Sequence, residues 1–141
     1  MRTYYIFEIK DEFYKLYKDG PNTLYIILRQ LFLLKKQDAE YGFNIFNQLT
    51  NQQNKYLLNK NIFVKYHKEM IYTKLGNEHI INNLFKDEIS ILTIKNSYIM
   101  LSTNHNYSSF FNILIDYSNN YFVVDFKNQD YFFLNDIKML V

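Results

Sequence analysis

The chain of 141 residues has no cysteine, no tryptophan, one proline and three glycines. The lack of cysteine excludes disulfide bonds, thiolate chemistry and cysteine-based zinc sites. The glycines are scattered, which excludes a glycine-rich phosphate-binding loop. Because glycine and proline are both scarce, no segment has the composition of a flexible linker. We therefore predict one domain spanning residues 1–141.

Long apolar runs and a strong charge of either sign are also missing. The longest apolar segment, residues 24–34, is interrupted by Arg29 and Gln30 and is too short to cross a bilayer. Met1 is followed by tyrosines and charged residues, not by the apolar core of a signal peptide. The formal net charge of +2 is too small to predict an anionic partner. These features predict a cytoplasmic protein that does not bind a membrane.

Groups that could carry out catalysis are few and dispersed. The three histidines, His67, His79 and His105, lie in different segments, and no two have the i, i+3 or i+4 spacing of a helical metal site. Such isolated histidines are typical of surface or half-buried positions. We therefore predict a non-enzymatic protein with no cofactor, no metal site and no small-molecule substrate.

Aromatic residues are abundant, at 19% of the chain, and their clearest pattern lies in residues 1–17. Alternation over residues 4–9 predicts a strand, and the acidic residues at 11 and 12 suit the start of a helix. Phe13, Leu16 and Tyr17 then recur at i, i+3 and i+4, on one helix face. We expect Leu16 to pack on the sheet. The helix carries more aromatic surface than it needs for its own burial, so this face is either wedged into a core or a contact surface.

The other segments predict an α+β fold. Apolar periodicity predicts helices near residues 24–34, 39–51, 80–85 and 107–117, and strands at 89–94, 98–103, 121–126 and 131–134. Asn22 or Thr23 can cap the second helix, and Asn106 can cap the helix predicted near residues 107–117. Residues 51–61 are amide-rich and predict a loop with a helical fragment, while residues 62–75 show neither period. Together these elements predict a mostly antiparallel sheet of about five strands packed with helices.

A basic and aromatic stretch, residues 55–74, leaves a second function open. It holds five lysines against one acid, Glu69, interleaved with Tyr56, Phe63, Tyr66 and Tyr72. Lysines bind phosphates and aromatic rings stack on bases, as a single-stranded nucleic-acid-binding module requires. The spacing is loose and arginine is absent, which favours a solvated surface instead.

Two motifs, one near each end of the chain, carry a resemblance to a known family. The first is Tyr4-Tyr5, Ile9-Lys10-Asp11-Glu12-Phe13 and Tyr17, and the second is Tyr121-Phe122-Val123-Val124-Asp125-Phe126, Asp130-Tyr131-Phe132 and Leu134-Asn135. In this order and separation they resemble the SirA family, the sporulation inhibitors of replication initiation. Residues 18–87 match poorly, and Lys18-Asp19-Gly20-Pro21 stands where the family has Gly-Arg-Glu.

The resemblance implies an α+β protein that binds domain I of the replication initiator DnaA, without direct contact to nucleic acid. In the family, the helix after the first strand presents an aromatic pair one turn apart, and these positions correspond to Phe13 and Tyr17. Tyr14, on the same helix, is a further candidate contact. The third helix lies beside this surface in the family, so Asn44, Asn47 and Gln48 are expected to add polar contacts at its rim.

Overall fold

The computed structural model describes residues 1–138. The strands are β1 (Arg2–Glu8), β2 (Tyr72–Leu75), β3 (Glu78–Asn83), β4 (Glu88–Ile94), β5 (Ile99–Thr103), β6 (Tyr121–Asp125) and β7 (Asp130–Phe133). The helices are α1 (Asp11–Tyr17), α2 (Pro21–Phe32), α3 (Ala39–Leu49), α4 (Lys55–Tyr66), α5 (Phe111–Tyr117) and α6 (Leu134–Lys138). A short 3-10 turn, Lys36–Asp38, precedes α3.

All seven strands form one antiparallel sheet, in the order β2-β3-β4-β5-β1-β6-β7. Strand β1 lies in its interior, where Tyr5 is opposite Met100 of β5 and Val124 of β6. Pairing on both sides satisfies the backbone N–H and C=O groups of β1. The N-terminal strand is therefore a firmly held base for the helix that follows it.

Helices cover both faces of the sheet because β1 and β6 are apolar on both faces. Tyr4 and Ile6 of β1 point into a core that contains residues of α4 and α5. Tyr5 and Phe7, which alternate with them, point into a second core against which α1, α2 and α3 pack. The result is three layers, with the sheet in the middle.

The predicted α+β class is confirmed, and so is the antiparallel sheet. The three segments that alternate most clearly, residues 4–9, 89–94 and 121–126, all lie in it, as β1, β4 and β6. The predicted number of strands, about five, is wrong, because the sheet has seven strands. The two extra strands are β2 and β3, at one edge of the sheet.

Residues 80–85 were predicted to be helical, but they belong to β3 and to the turn after it. Ile81 is buried and pairs across from Ser90, whereas Leu84 and Phe85 are exposed in the β3–β4 turn. The apolar residues of this segment have helical spacing only because two of them, Leu84 and Phe85, belong to the turn and not to the strand. The buried residues of β3 are His79 and Ile81. Because histidine is polar, its burial leaves no apolar alternation in the sequence that would indicate a strand.

Helix α4 was predicted only as a fragment. The side chain of Asn54 caps it, its Oδ1 accepting a hydrogen bond from the backbone N–H of Leu57 at 3.1 Å. Leu58, Ile62 and Tyr66 are its buried residues. These residues are four positions apart and form only a narrow apolar stripe. Asparagines and lysines lie between them, so the sequence of α4 does not show a clear helical periodicity.

Helix ends differ from the predicted ones at three places. Helix α2 begins at Pro21, whose missing N–H costs nothing at this position, and no side chain caps it. It ends at Phe32, so residues 33 and 34 lie beyond it. Helix α5 begins at Phe111 without a side-chain cap, and Asn106 instead accepts a hydrogen bond from Arg2 Nη1 at 2.7 Å.

The start of β1 is tied to the β6–β7 hairpin by charged groups. Arg2 pairs with Asp125 at 3.1 Å and with Asp130 at 2.9 Å. Burial raises the pKa of Asp125, but hydrogen bonds from Asn128 and the guanidinium of Arg2 outweigh it and hold that pKa below its ordinary value. Asp125 thus has a structural role at the end of β6.

His79 is wholly buried between α4 and the sheet, and it makes the fold sensitive to acid. Its Nδ1 lies 2.7 Å from the hydroxyl of Tyr72, and its Nε2 lies 2.7 Å from Oδ1 of Asn59. These partners suit a neutral imidazole that donates from Nε2. Burial, with a smaller contribution from Lys74, lowers its pKa from 6.5 to about 4.

We therefore expect stability to fall as the pH drops below about 6.5 towards 4, since the unfolded chain binds the proton that the folded chain refuses. The His79→Gln variant should show a smaller decrease in melting temperature between pH 7.5 and pH 5 than the parent protein. Equal decreases in the two proteins would show that His79 does not contribute to the acid sensitivity.

Candidate protein-binding surface

Helix α1 leaves β1 through a joint that backbone hydrogen bonds hold in place. Ile9 forms an isolated antiparallel bridge with Thr50, and its N–H donates to the carbonyl of Asn120 at 3.0 Å. The N–H of Lys10 donates to the carbonyl of Leu49, the last residue of α3, at 2.9 Å. The start of α1 is thus fixed both to the end of α3 and to the loop before β6.

Tyr14 holds α1 on the sheet. Its ring packs edge-on against Phe133 of β7, with ring centroids 5.0 Å apart. Its hydroxyl accepts a long hydrogen bond from Nδ2 of Asn135 at 3.4 Å. The predicted contact residue Tyr14 is therefore packed against the protein's own core, as Phe13 and Tyr17 also partly are.

Phe13, Leu16 and Tyr17 form an apolar strip on α1 that the fold does not fully cover. No residue of α1 is buried. Phe13 and Tyr17 are half-buried at the edge of the core, so part of each ring is exposed. Leu16 is 66% exposed, and the expectation that it packs on the sheet is wrong. Tyr14 occupies the sheet-facing side of this short helix and leaves Leu16 outside.

A charged pair lies on the side of α1 that faces away from Phe13 and Tyr17. Lys15 and Asp11 form an ion pair one turn apart, at 3.0 Å. The ammonium of Lys15, with a hydrogen bond from Asn120, holds the pKa of Asp11 below its ordinary value. Both side chains are exposed, so the pair adds little stability.

Asn44 and Gln48, two of the predicted rim residues, are both exposed on α3 and lie one turn apart on its outer side. Gln48 directly precedes Leu49, whose carbonyl binds Lys10 at the start of α1. The structure therefore brings Gln48 close to α1, whereas Asn44 lies one turn farther away. Leu16 is a candidate contact that sequence reasoning missed, although the shortness of α1 was a signal that few of its residues could be buried.

The basic stretch of residues 55–74 does not present the row of aromatic rings that nucleic-acid stacking needs. Tyr66 and Tyr72 are buried, and the hydroxyl of Tyr66 donates to the carbonyl of Ser109 at 3.3 Å. Tyr56 and Phe63 are exposed. Two of the four rings are thus part of the core beneath α4 and β2, which leaves too few for a continuous stacking platform.

The histidines lie apart from one another and from α1. His67 bonds to carbonyls of its own helix, and His105 contacts the carbonyl of Lys86 at 2.7 Å. Over residues 1–138, no group of three histidine, aspartate or glutamate side chains is arranged to hold a metal ion. No helix in the same residues is long and apolar enough to cross a membrane.

Comparison with known proteins relates the chain to a described family. No curated protein sequence matches. The model of the family described as "Sporulation inhibitor of replication protein SirA" matches residues 2–138, from the start of β1 to the end of α6. The matched region includes the strip on α1 and the outer side of α3. Because the match covers nearly the whole length, the protein belongs to the SirA family.

Proposed function

We propose that this protein binds domain I of DnaA through the strip on α1 and so inhibits the initiation of replication. Membership in the SirA family supports a role as a sporulation inhibitor of replication. The observation that carries the finer proposal is the state of α1, a helix with no buried residue, on which Leu16 is 66% exposed beside the half-buried Phe13 and Tyr17. Apolar side chains left exposed together in this way are typical of binding surfaces.

Phe13 and Tyr17 are suited to be the anchors of this interface. Each is half-buried, so the exposed part of each ring can bury further area against a partner while its inner edge stays fixed by the core. Aromatic side chains combine a large contact area with few rotatable bonds, which is why they are frequent hot spots. Leu16, on the solvent side of both rings, would extend the apolar contact.

Tyr14, Asn44 and Gln48 have supporting roles in this proposal. Tyr14 positions α1, because its ring is packed against Phe133. Gln48 supplies a polar contact at the edge nearest α1, and Asn44 extends the rim along α3. Rim contacts of this kind contribute less to affinity than buried anchors do, but they exclude water from the centre.

The mechanism is occlusion and requires no catalysis. A protein that covers a surface of domain I prevents every other contact that DnaA makes through that surface. Such inhibition depends on occupancy, so it needs tight binding more than it needs chemistry. The backbone bonds that fix α1 before binding help, because little conformational freedom is lost when the complex forms.

The test compares two classes of ligand with the same purified protein. Isothermal titration is expected to show binding to isolated DnaA domain I that changes little between 50 and 200 mM salt. Binding to single-stranded DNA should be weak and should fall steeply over the same range. Tight, salt-resistant binding to DNA with no binding to domain I would overturn the proposal and support the nucleic-acid alternative.

A further inference from the structure

An apolar pocket lies between α2, α3 and the sheet, separate from the strip on α1. It has a volume of about 330 Å³. Its floor is formed by Tyr5 and Phe7 of β1, and its walls include Leu28 and Phe32 of α2 and Phe46 of α3. A volume of this size falls at the lower end of the range for small-molecule pockets, about 300–1,000 Å³.

Gly42 shapes one side of this pocket. A Cβ atom at position 42 would lie 2.2 Å from Cδ1 of Leu34, far inside contact distance. The absence of a side chain allows Leu34 to lie directly against α3 and to line the pocket there. The space therefore depends on close packing between the segment after α2 and the first turns of α3.

A second, polar pocket adjoins the first. It has a volume of about 760 Å³ and shares Tyr5 and Phe32 with the apolar pocket. Arg29 of α2 and Lys127 of the β6–β7 turn line it, and neither forms an ion pair within residues 1–138. Asp125 also lines it, but this carboxylate is already paired with Arg2. Arg29 and Lys127 thus bring positive charges to the polar pocket that no carboxylate of the described residues neutralises.

Phe32 marks the boundary between the two pockets. Its ring stacks on Phe126 with centroids 4.6 Å apart and contacts the ring of Tyr5 at 5.4 Å. It is nevertheless 53% exposed, although a large apolar side chain gains stability when it is covered. A ligand that passes this ring would cover it and would reach both pockets.

We propose that the two pockets together bind a single-chain amphiphile with an anionic head, of the class of medium-chain fatty acids. The alkyl chain lies in the apolar pocket, passes Phe32, and places its carboxylate between Arg29 and Lys127. The apolar lining selects the chain, and the two cations select the charge of the head. The molecule is held as a ligand and is not transformed.

The test is a titration of the full chain with octanoate, decanoate and decanol, below the concentrations at which they aggregate. Each methylene buried in the pocket is expected to tighten binding about fourfold, so decanoate should bind about 15-fold more tightly than octanoate. Ala39 lines the pocket at the first turn of α3, and Ala39→Phe should fill the space and weaken decanoate binding at least tenfold.

Three controls make the test specific. The double variant Arg29→Gln, Lys127→Gln should weaken decanoate binding about tenfold and leave decanol binding unchanged. Tyr17→Ala should leave decanoate binding unchanged, so this inference and the proposed DnaA contact can fail independently. Melting temperatures should be retained in the variants at positions 29, 39 and 127, whose side chains are exposed, and should fall by only a few degrees in Tyr17→Ala, whose ring is half-buried.

The proposal is overturned if decanoate does not bind, or if the folded Ala39→Phe variant binds it as tightly as the parent does. Equal affinities of the parent and the double variant would also overturn it, since the head would then not be recognised. Sedimentation tests a different occupant of the apolar pocket. A dimer that Ala39→Phe abolishes would show that a second copy of the chain fills the pocket, and this would also overturn the proposal.

Discussion

Replacing Phe133 with alanine is expected to lower the free energy of unfolding by about 3–5 kcal/mol, as is usual for a large aromatic side chain removed from a core. Phe133 is fully buried at the end of β7. Its ring lies 4.7 Å from that of Phe122 and 5.0 Å from that of Tyr14. The variant would leave a cavity directly beneath α1. Urea-induced unfolding, followed by circular dichroism, measures the loss.

Phe132 provides a matched control for this experiment. It is the preceding residue of the same strand, points to the opposite face of the sheet, and is only half-buried. Phe132→Ala should therefore cost clearly less than Phe133→Ala. If the two variants lost equal stability, or if Phe133→Ala cost less than about 1 kcal/mol, the packing of α1 on this aromatic platform would be contradicted.

The parts of the fold that could be predicted are the strands that are rich in aromatic and β-branched residues. Strand β4 (Glu88–Ile94) buries every second residue, but its buried side includes Glu88 and Ser90 while Ile89 is 42% exposed; its β-branched composition, and not an alternation of hydrophobicity, identifies it as a strand. In β1 and β6 both faces are covered, so apolar residues run continuously and the aromatic and β-branched composition identifies the strand. All three strands lie in the interior of the sheet, between the edge strands β2 and β7.

The parts that could not be predicted are those in which polar residues are buried or apolar ones exposed. Strand β3 buries His79, and the turn that follows exposes Leu84 and Phe85. Prediction from periodicity assumes that apolar residues are buried and polar residues exposed. Both features of this segment are the reverse of that assumption. The network of His79 with Tyr72 and Asn59 is tertiary, and no local pattern reveals it.

The surface on α1 could be predicted in part. The i, i+4 spacing of Phe13 and Tyr17 placed them on one side of a helix, and the resemblance to the SirA family gave that side a role. Periodicity could not separate Tyr14, which packs on Phe133, from Leu16, which is exposed. Helix orientation depends on the backbone bonds of Ile9 and Lys10 to distant residues, and these follow from the whole fold.

Replacing Tyr17 with alanine is expected to weaken binding to DnaA domain I by about 2 kcal/mol or more, roughly 30-fold, if the ring is an interface anchor. The same change should lower the free energy of unfolding by only about 1 kcal/mol, because the ring is half-buried in the free protein. Loss of affinity together with a retained fold is the signature of a contact residue. A core residue of this size would show the reverse.

The side-by-side titration of Tyr17→Ala and Tyr56→Ala with DnaA domain I tests the central claim most directly. Tyr56 is a 77% exposed tyrosine on α4, which covers the opposite face of the sheet from α1, so the two variants remove the same chemical group from different surfaces. With melting temperatures recorded on the same samples, we predict that Tyr17→Ala loses at least 30-fold in affinity and that Tyr56→Ala binds like the parent protein. Unchanged affinity of folded Tyr17→Ala, or an equal loss in Tyr56→Ala, would contradict the assignment of α1 as the binding surface.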